Sequence, residues 1–212
     1  MDSEGFVDPD ALKRLTPWER FKAVSADPEV NRFYPESYGA AIWNTVLATR
    51  PRMMVHFGVH RGYAAIVSAL AMEQLGFGHV RAYDWWEDGK REGFDEAKVA
   101  LDHFDRYGVR DRIALEDREF FEWLRQPEPC DLLYFDIDND GAKVTAMFEG
   151  LRTAIGGGLT VLFEGGLPER DQHVSMVGRP PIAATQAHTG ARLLVHDFPG
   201  LSIIAPPPSP RA

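Results

Sequence analysis

The chain lacks the features that mark several large classes of protein. Among its 212 residues there is one cysteine, Cys130. A single thiol excludes an internal disulfide and a zinc site built from several thiolates. Cys130 precedes an apolar run, so it reads as a buried, inert thiol. No run of Lys and Arg occurs, and the formal net charge is −9. Binding to a phosphate backbone is driven by clustered cations, so no nucleic-acid partner is expected. No apolar run approaches the ~20 residues that a membrane-spanning helix needs. The opening residues, Met1-Asp2-Ser3-Glu4-Gly5, are acidic and lack the basic and apolar regions of a secretion signal. A cytoplasmic protein with no membrane partner is therefore expected. Two phosphate-binding signatures, a G-K-[ST] ending and G-x-G-x-x-G, are also missing.

What is present is ordinary globular composition, 44% hydrophobic and 26% charged, in a length that suits one domain. Residues 1–50 read as a helical extension, a substrate cap or a dimer contact. Within it Thr16-Pro17-Trp18-Glu19 forms a capping box that opens a helix through Val24. Tyr38, Ile42, Thr45 and Val46 share one face of a second helix, ended by Pro51. From residue 51 to 206 apolar strands alternate with helices at Met53–Phe57, His79–Tyr83, Ile113–Leu115, Cys130–Asp136 and Leu159–Glu164. Arg192–Phe198 and Leu201–Ala205 close the chain as a hairpin around Pro199-Gly200. This predicts an α/β fold: a seven-stranded, mostly parallel, Rossmann-like sheet with one antiparallel strand and helices on both faces. Residues 207–212 read as a flexible, proline-rich tail.

The segment from Met53 to Trp86 carries the most chemistry. An apolar strand runs into Gly58-Val59-His60-Arg61-Gly62, a helix begins at Tyr63, and a second strand ends on Asp84. Gly58 and Gly62 allow a sharp turn and a close approach to a ligand. The helix start offers unpaired N–H groups. An acid at the tip of the second strand can accept the hydroxyl protons of a ribose. The G-x-x-x-G spacing disfavours a diphosphate and with it a dinucleotide oxidoreductase, the weakest of three readings of function. Here the segment resembles motif I of the class I S-adenosylmethionine-dependent methyltransferases. The resemblance implies S-adenosylmethionine as cofactor, contacted through His56, Gly58, His60, Gly62, Tyr63 and Asp84. Trp85 and Trp86 follow, as a hydrophobic lid on the sheet edge or an aromatic wall on the adenine or the acceptor, and Asp117 is the choice for the adenine amino group over Glu116 and Glu119.

Ligands in open α/β sheets lie at the carboxyl ends of the strands, and four of the five parallel strands end on acids. The densest group is Asp136-Ile137-Asp138-Asn139-Asp140-Gly141. As a solvated turn it would cap the next helix. Paired with Glu164, which ends the adjacent strand, its oxygens suit Mg²⁺ or Ca²⁺. The run from Asp131 to Asn139 resembles the D-x-x-x-x-D-G-D-H pattern of small-molecule O-methyltransferases of the catechol and macrolide-sugar types. By that resemblance Asp136 is a metal ligand that also faces the cofactor, and Glu164 is a second ligand. Asn139 stands where several relatives place a histidine base, and Gly165 where a further ligand is usual. Asp136, Asp138 and His173 are the catalytic candidates. The expected activity is methyl transfer to an oxygen of a small molecule, in a specialised metabolite. The alternative is a protein of the same fold that binds or rearranges a small ligand without methyl transfer.

Overall fold

The computed structural model describes residues 9–86, 96–137 and 140–206. Three helices come first: α1 (Pro9–Lys13), α2 (Pro17–Ala26) and α3 (Glu36–Thr49). Then follow β1 (Met53–Phe57), α4 (Tyr63–Leu75), β2 (His79–Asp84), α5 (Glu96–Arg106), β3 (Ile113–Asp117), α6 (Phe120–Arg125) and β4 (Leu132–Phe135). The remaining elements are α7 (Gly141–Gly156), β5 (Thr160–Glu164), α8 (Pro168–Asp171), α9 (Gln186–Thr189), β6 (Arg192–Val195) and β7 (Leu201–Ile204). The seven strands form one sheet in the order β3-β2-β1-β4-β5-β7-β6. β1 to β5 pair in parallel, whereas β7 runs antiparallel to both β5 and β6. The expected sheet, with its single antiparallel strand, is the one that forms. No helix among the described residues is long and apolar enough to cross a membrane.

The central strands are buried on both faces, which is why they read as continuous apolar runs. Side chains alternate between two cores. Along β1, Met54 faces the layer of α2, α3 and α4, while Val55 and Phe57 join Phe120, Trp123 and Met147 on the other side. α4 is buried along its whole run from Tyr63 to Met72. Such a helix must be covered all round. α2 and α3 provide the cover through Phe21, Val24, Tyr38, Ile42 and Val46. The capping box opens α2 as the sequence predicts, with Thr16 N–H donating to Glu19 Oε2 at 2.8 Å. Buried Arg20 then pairs with Glu73 on α4 and donates to the Tyr107 carbonyl at 2.9 Å.

His56 is the polar exception on β1. Its ring is fully buried, stacks on Tyr134 with centroids 4.8 Å apart, and places Nε2 3.1 Å from Ser68 Oγ. Ser68 already donates to the Ala64 carbonyl at 2.8 Å, so Nε2 is the donor to Ser68 and Nδ1 carries the lone pair. Nδ1 is buried with no hydrogen-bond partner. A proton there would be a buried charge facing nothing, and burial lowers the pKa to about 3. Because the unfolded chain binds this proton near pH 6.5, stability is full above that pH and falls as pH drops toward 3. Urea denaturation should show about 2 kcal/mol lost to His56 between pH 7 and pH 5. The His56→Phe variant should show a correspondingly flatter profile over that interval, and identical slopes in the two proteins would refute this account.

Candidate active site

A cavity of about 700 Å³ opens at the carboxyl ends of β1, β2, β4 and β5, a size typical of a small-molecule site. At one end lies the glycine loop. Gly58 N–H donates to the Tyr83 carbonyl at 3.1 Å, and Gly58 has φ of 86°. A Cβ there would lie 1.9 Å from the Asp136 carbonyl oxygen. The close approach that demands glycine is therefore to the end of β4, not only to a ligand. Gly62 (φ 93°) caps α4 without a side-chain bond, and a Cβ on it would meet Phe104 at 2.6 Å. The first turn of α4 accordingly keeps its N–H groups.

Asp84 clamps this loop. Its Oδ2 accepts from Val59 N–H at 2.7 Å and His60 N–H at 3.0 Å, and its Oδ1 accepts from Trp85 N–H at 2.8 Å. A carboxylate has about four acceptor positions, so capacity for a ligand hydroxyl remains. His60 holds a left-handed backbone (φ 47°), with its Nδ1 3.8 Å from Glu96 Oε1. Burial lowers its pKa, against the pull of Glu96.

The other end is built on two acids. β4 and β5 pair in register at Phe135 and Phe163, so the next residues, Asp136 and Glu164, stand side by side. Tyr34 Oη donates to Asp136 Oδ2 at 2.9 Å and to Glu164 Oε2 at 3.1 Å, spanning both carboxylates with one hydroxyl. Tyr134 Oη donates to Asp136 Oδ2 at 3.1 Å, which leaves Tyr38 to donate to Tyr134 at 2.8 Å. On the far side the Arg170 guanidinium lies 3.1 Å from Glu164 Oε1. Burial and the neighbouring Glu164 charge push the Asp136 carboxyl well above the usual range, with Tyr34 and Tyr134 opposing. Burial and these carboxylates likewise raise the phenols of Tyr34, Tyr38 and Tyr134, so each acts as a neutral donor.

Tyr34 reaches the acids from a strap, residues 27–35, that joins α2 to α3. Asn31 shapes the strap by donating to the carbonyls of Ser25 and Tyr34, both at 2.9 Å, while accepting from Tyr34 N–H at 3.0 Å. Arg61 of the glycine loop donates to the Glu29 carbonyl at 2.8 Å, and Tyr107 donates to Asp27 at 2.8 Å. The strap is thus tied to both ends of the cavity. Tyr34 stacks between Tyr38 and Tyr63, with centroids 4.4 and 5.6 Å away.

Of the residues predicted from sequence, Gly58, His60, Tyr63, Asp84, Asp136, Glu164 and His173 line this cavity together. His56, Gly62, Trp85 and Asp117 are not among its lining residues. His56 lies in the core, and Gly62 packs on Phe104. Trp85 is half exposed, and Asp117 pairs in register with Asp84 on the edge strand. Asp138 and Asn139 lie outside the described residues. Sequence reasoning missed Tyr34, Tyr134 and Arg170. Tyr134 carried a signal, since a tyrosine inside an apolar strand needs a hydrogen-bond partner. Arg170, in the segment after β5, carried none.

The expected Mg²⁺ is poorly matched by the described residues. Among them no three His, Cys, Asp or Glu side chains gather into a ligand set. Both oxygens of Glu164 are engaged, one by Tyr34 and one by a guanidinium that already supplies positive charge.

The model of a family described as a methyltransferase domain matches residues 55–164, just over half of the chain. The chain belongs to this family. No curated protein matches the sequence significantly. Among solved structures, this methyltransferase resembles a Podospora anserina methyltransferase bound to S-adenosylhomocysteine, with a TM-score of 0.61 at 14% identity, over 98% of this chain and 91% of the other. It also resembles the O-methyltransferase TomG of Streptomyces achromogenes, involved in tomaymycin synthesis and bound to S-adenosylmethionine. There the TM-score is 0.62 at 12% identity, over 95% and 100% of the two chains. A Bacillus cereus O-methyltransferase in complex with S-adenosylhomocysteine gives 0.57 at 15%, over 90% of each chain. These likenesses are of fold, and the fold is that of the class I S-adenosylmethionine-dependent methyltransferases.

The bridging hydroxyl of this methyltransferase is testable alone. Tyr34→Phe leaves two adjacent acids without their shared donor and should cost about 1.5–3 kcal/mol, the scale of a hydrogen bond to a charged group. Chemical denaturation measures this, and an unchanged midpoint would mean that Tyr34 does not stabilise the pair.

Proposed function

We propose that this enzyme transfers a methyl group from S-adenosylmethionine to an oxygen of a small acceptor. The observation that carries the reading is one cavity with a nucleoside-suited loop at one end and a proton-accepting acid pair at the other. The loop, the open first turn of α4 and Asp84 fit the cofactor. Asp84 would accept from the ribose with the capacity that its three backbone donors leave. Tyr63 and His60, which line the same end, would flank the cofactor. Asp117, in register with Asp84, is our choice for the adenine amino group.

When bound, the sulfonium supplies an activated methyl group that forms a bond to the acceptor oxygen as the C–S bond breaks and its electron pair passes to sulfur. The protein has little covalent work to do, and alignment of the acceptor provides much of the rate. Asp136 and Glu164 are placed to take the proton that the acceptor hydroxyl releases. His173, in the same lining, is the second group that could receive it. The strap, through Val30, Arg32, Phe33 and Tyr34, covers the cavity, which supports the substrate-cap reading of the N-terminal helices. A cavity of about 700 Å³ with aromatic side chains in its lining suits a small, partly apolar acceptor. A specialised metabolite, the setting in which TomG works, is consistent with that.

Two measurements test this. Calorimetry should show S-adenosylhomocysteine binding that Asp84→Ala weakens by ~1.5–3 kcal/mol. Binding of NAD with no response to S-adenosylhomocysteine would overturn the assignment. With an acceptor found by screening hydroxylated small molecules, Asp136→Asn or Glu164→Gln should lower kcat by roughly 10²-fold, the lower range for a positioned base. Full activity in both variants would move the chemistry to His173, and cofactor binding without any turnover would favour the non-catalytic alternative.

A further inference from the structure

We infer that Arg170 is the resident cation of the acceptor end, a positioning residue that holds Glu164 and occupies the role a divalent metal would fill. Two carboxylates in register at the ends of β4 and β5 require positive charge or donors, because neighbouring like charges in a partly dry site repel. In a metal enzyme the ion meets that need. Here the need is met by protein groups. Glu164 is 6% exposed and Arg170 8% exposed. Nη2 and Nε of Arg170 lie 3.1 and 3.4 Å from Glu164 Oε1, and Tyr34 takes the other oxygen at 3.1 Å.

One aromatic ring flanks the guanidinium, and the helix that carries Arg170 is itself anchored. The Arg170 guanidinium lies 5.5 Å from the centroid of the Phe198 ring. Its backbone sits in α8, whose N–H at Arg170 bonds the Leu167 carbonyl at 3.1 Å. The next residue, Asp171, accepts from Ile182 and Ala183 N–H groups, both at 2.8 Å, and so pins α8 to the segment that follows. A divalent ion approaching Glu164 would meet this held cation at contact range. Arginine is also permanently charged and presents a planar fork that matches a carboxylate. The acid pair therefore keeps its compensating charge whatever metal is in solution. One consequence concerns the acceptor. A metal selects molecules that chelate it through two adjacent oxygens, whereas a guanidinium committed to Glu164 imposes no such requirement.

Manganese binding tests this without reference to turnover, so its failure and that of the methyl-transfer reading are distinguishable. Purified protein with S-adenosylhomocysteine is titrated with Mn²⁺, and free ion is followed by electron paramagnetic resonance. Wild type should leave the free-ion signal undiminished, and so should Arg170→Lys, which keeps the charge. Arg170→Ala uncovers the acid pair and should bind Mn²⁺ at least roughly tenfold more tightly than wild type. Adding Glu164→Gln to that variant should abolish the gain. Stoichiometric Mn²⁺ binding by wild type that Glu164→Gln removes would overturn the inference. A folded Arg170→Ala protein with no gain in affinity would overturn it too. Should that variant fail to fold, the wild-type titration alone decides.

Discussion

Asp136 and Glu164 cannot move apart, because the parallel register of β4 and β5 fixes both at the ends of adjacent, fully buried strands. Most of the site follows from that constraint. Like charges so placed need a shared proton, donors or a cation, and the protein supplies donors and a cation. Tyr34 spans the pair, Tyr134 reaches Asp136 with Tyr38 behind it, and Arg170 closes on Glu164. Three elements that have no other reason to meet (the strap before α3, the strand β4, and α8) converge on three carboxylate oxygens, Oδ2 of Asp136 and both of Glu164.

The same convergence explains why the N-terminal helices are part of the machine. α2 and α3 cover a helix, α4, that is too apolar to face water. Once they are packed there, the nine residues that join them must cross the mouth of the cavity. That crossing puts Tyr34 over the acids and lets Glu29 receive Arg61 of the glycine loop. Core packing and site construction are one event. The strap is bonded to both ends of the cavity, to the glycine loop through Glu29 and to the two acids through Tyr34.

The glycine loop obeys a similar economy. Gly58 is required because β1 ends against the carbonyl of Asp136, and Asp84 first serves to hold the loop's amides. Residues that read as ligand contacts are also structural clamps. Such double duty makes a site rigid before any ligand arrives, and preorganisation of this kind favours both binding and alignment.

Much of this was legible in the sequence, for a physical reason. Apolar runs of strand length, glycine turns and capping residues act over a few neighbours, so the succession of elements along the chain, the α2 capping box and the acids at strand ends could be read directly. The neighbourhood of Asp136 and Glu164 could be inferred as well, since parallel strands in this fold place their ends together. What local pattern could not supply was the third dimension. It reads Gly58 as room for a ligand, and does not show that a Cβ there would also meet the Asp136 carbonyl at the end of β4. It reads His56 as a cofactor contact, although the alternation of β1 turns it into the core. It suggests a metal from two acids, although the residues that answer those acids, Tyr34 and Arg170, lie 102 residues before one and 6 after the other. The sequence by itself determined the elements and the carboxylates at their ends. Only the tertiary structure decided what neutralises those carboxylates, because charge compensation depends on distance in space and not on separation along the chain.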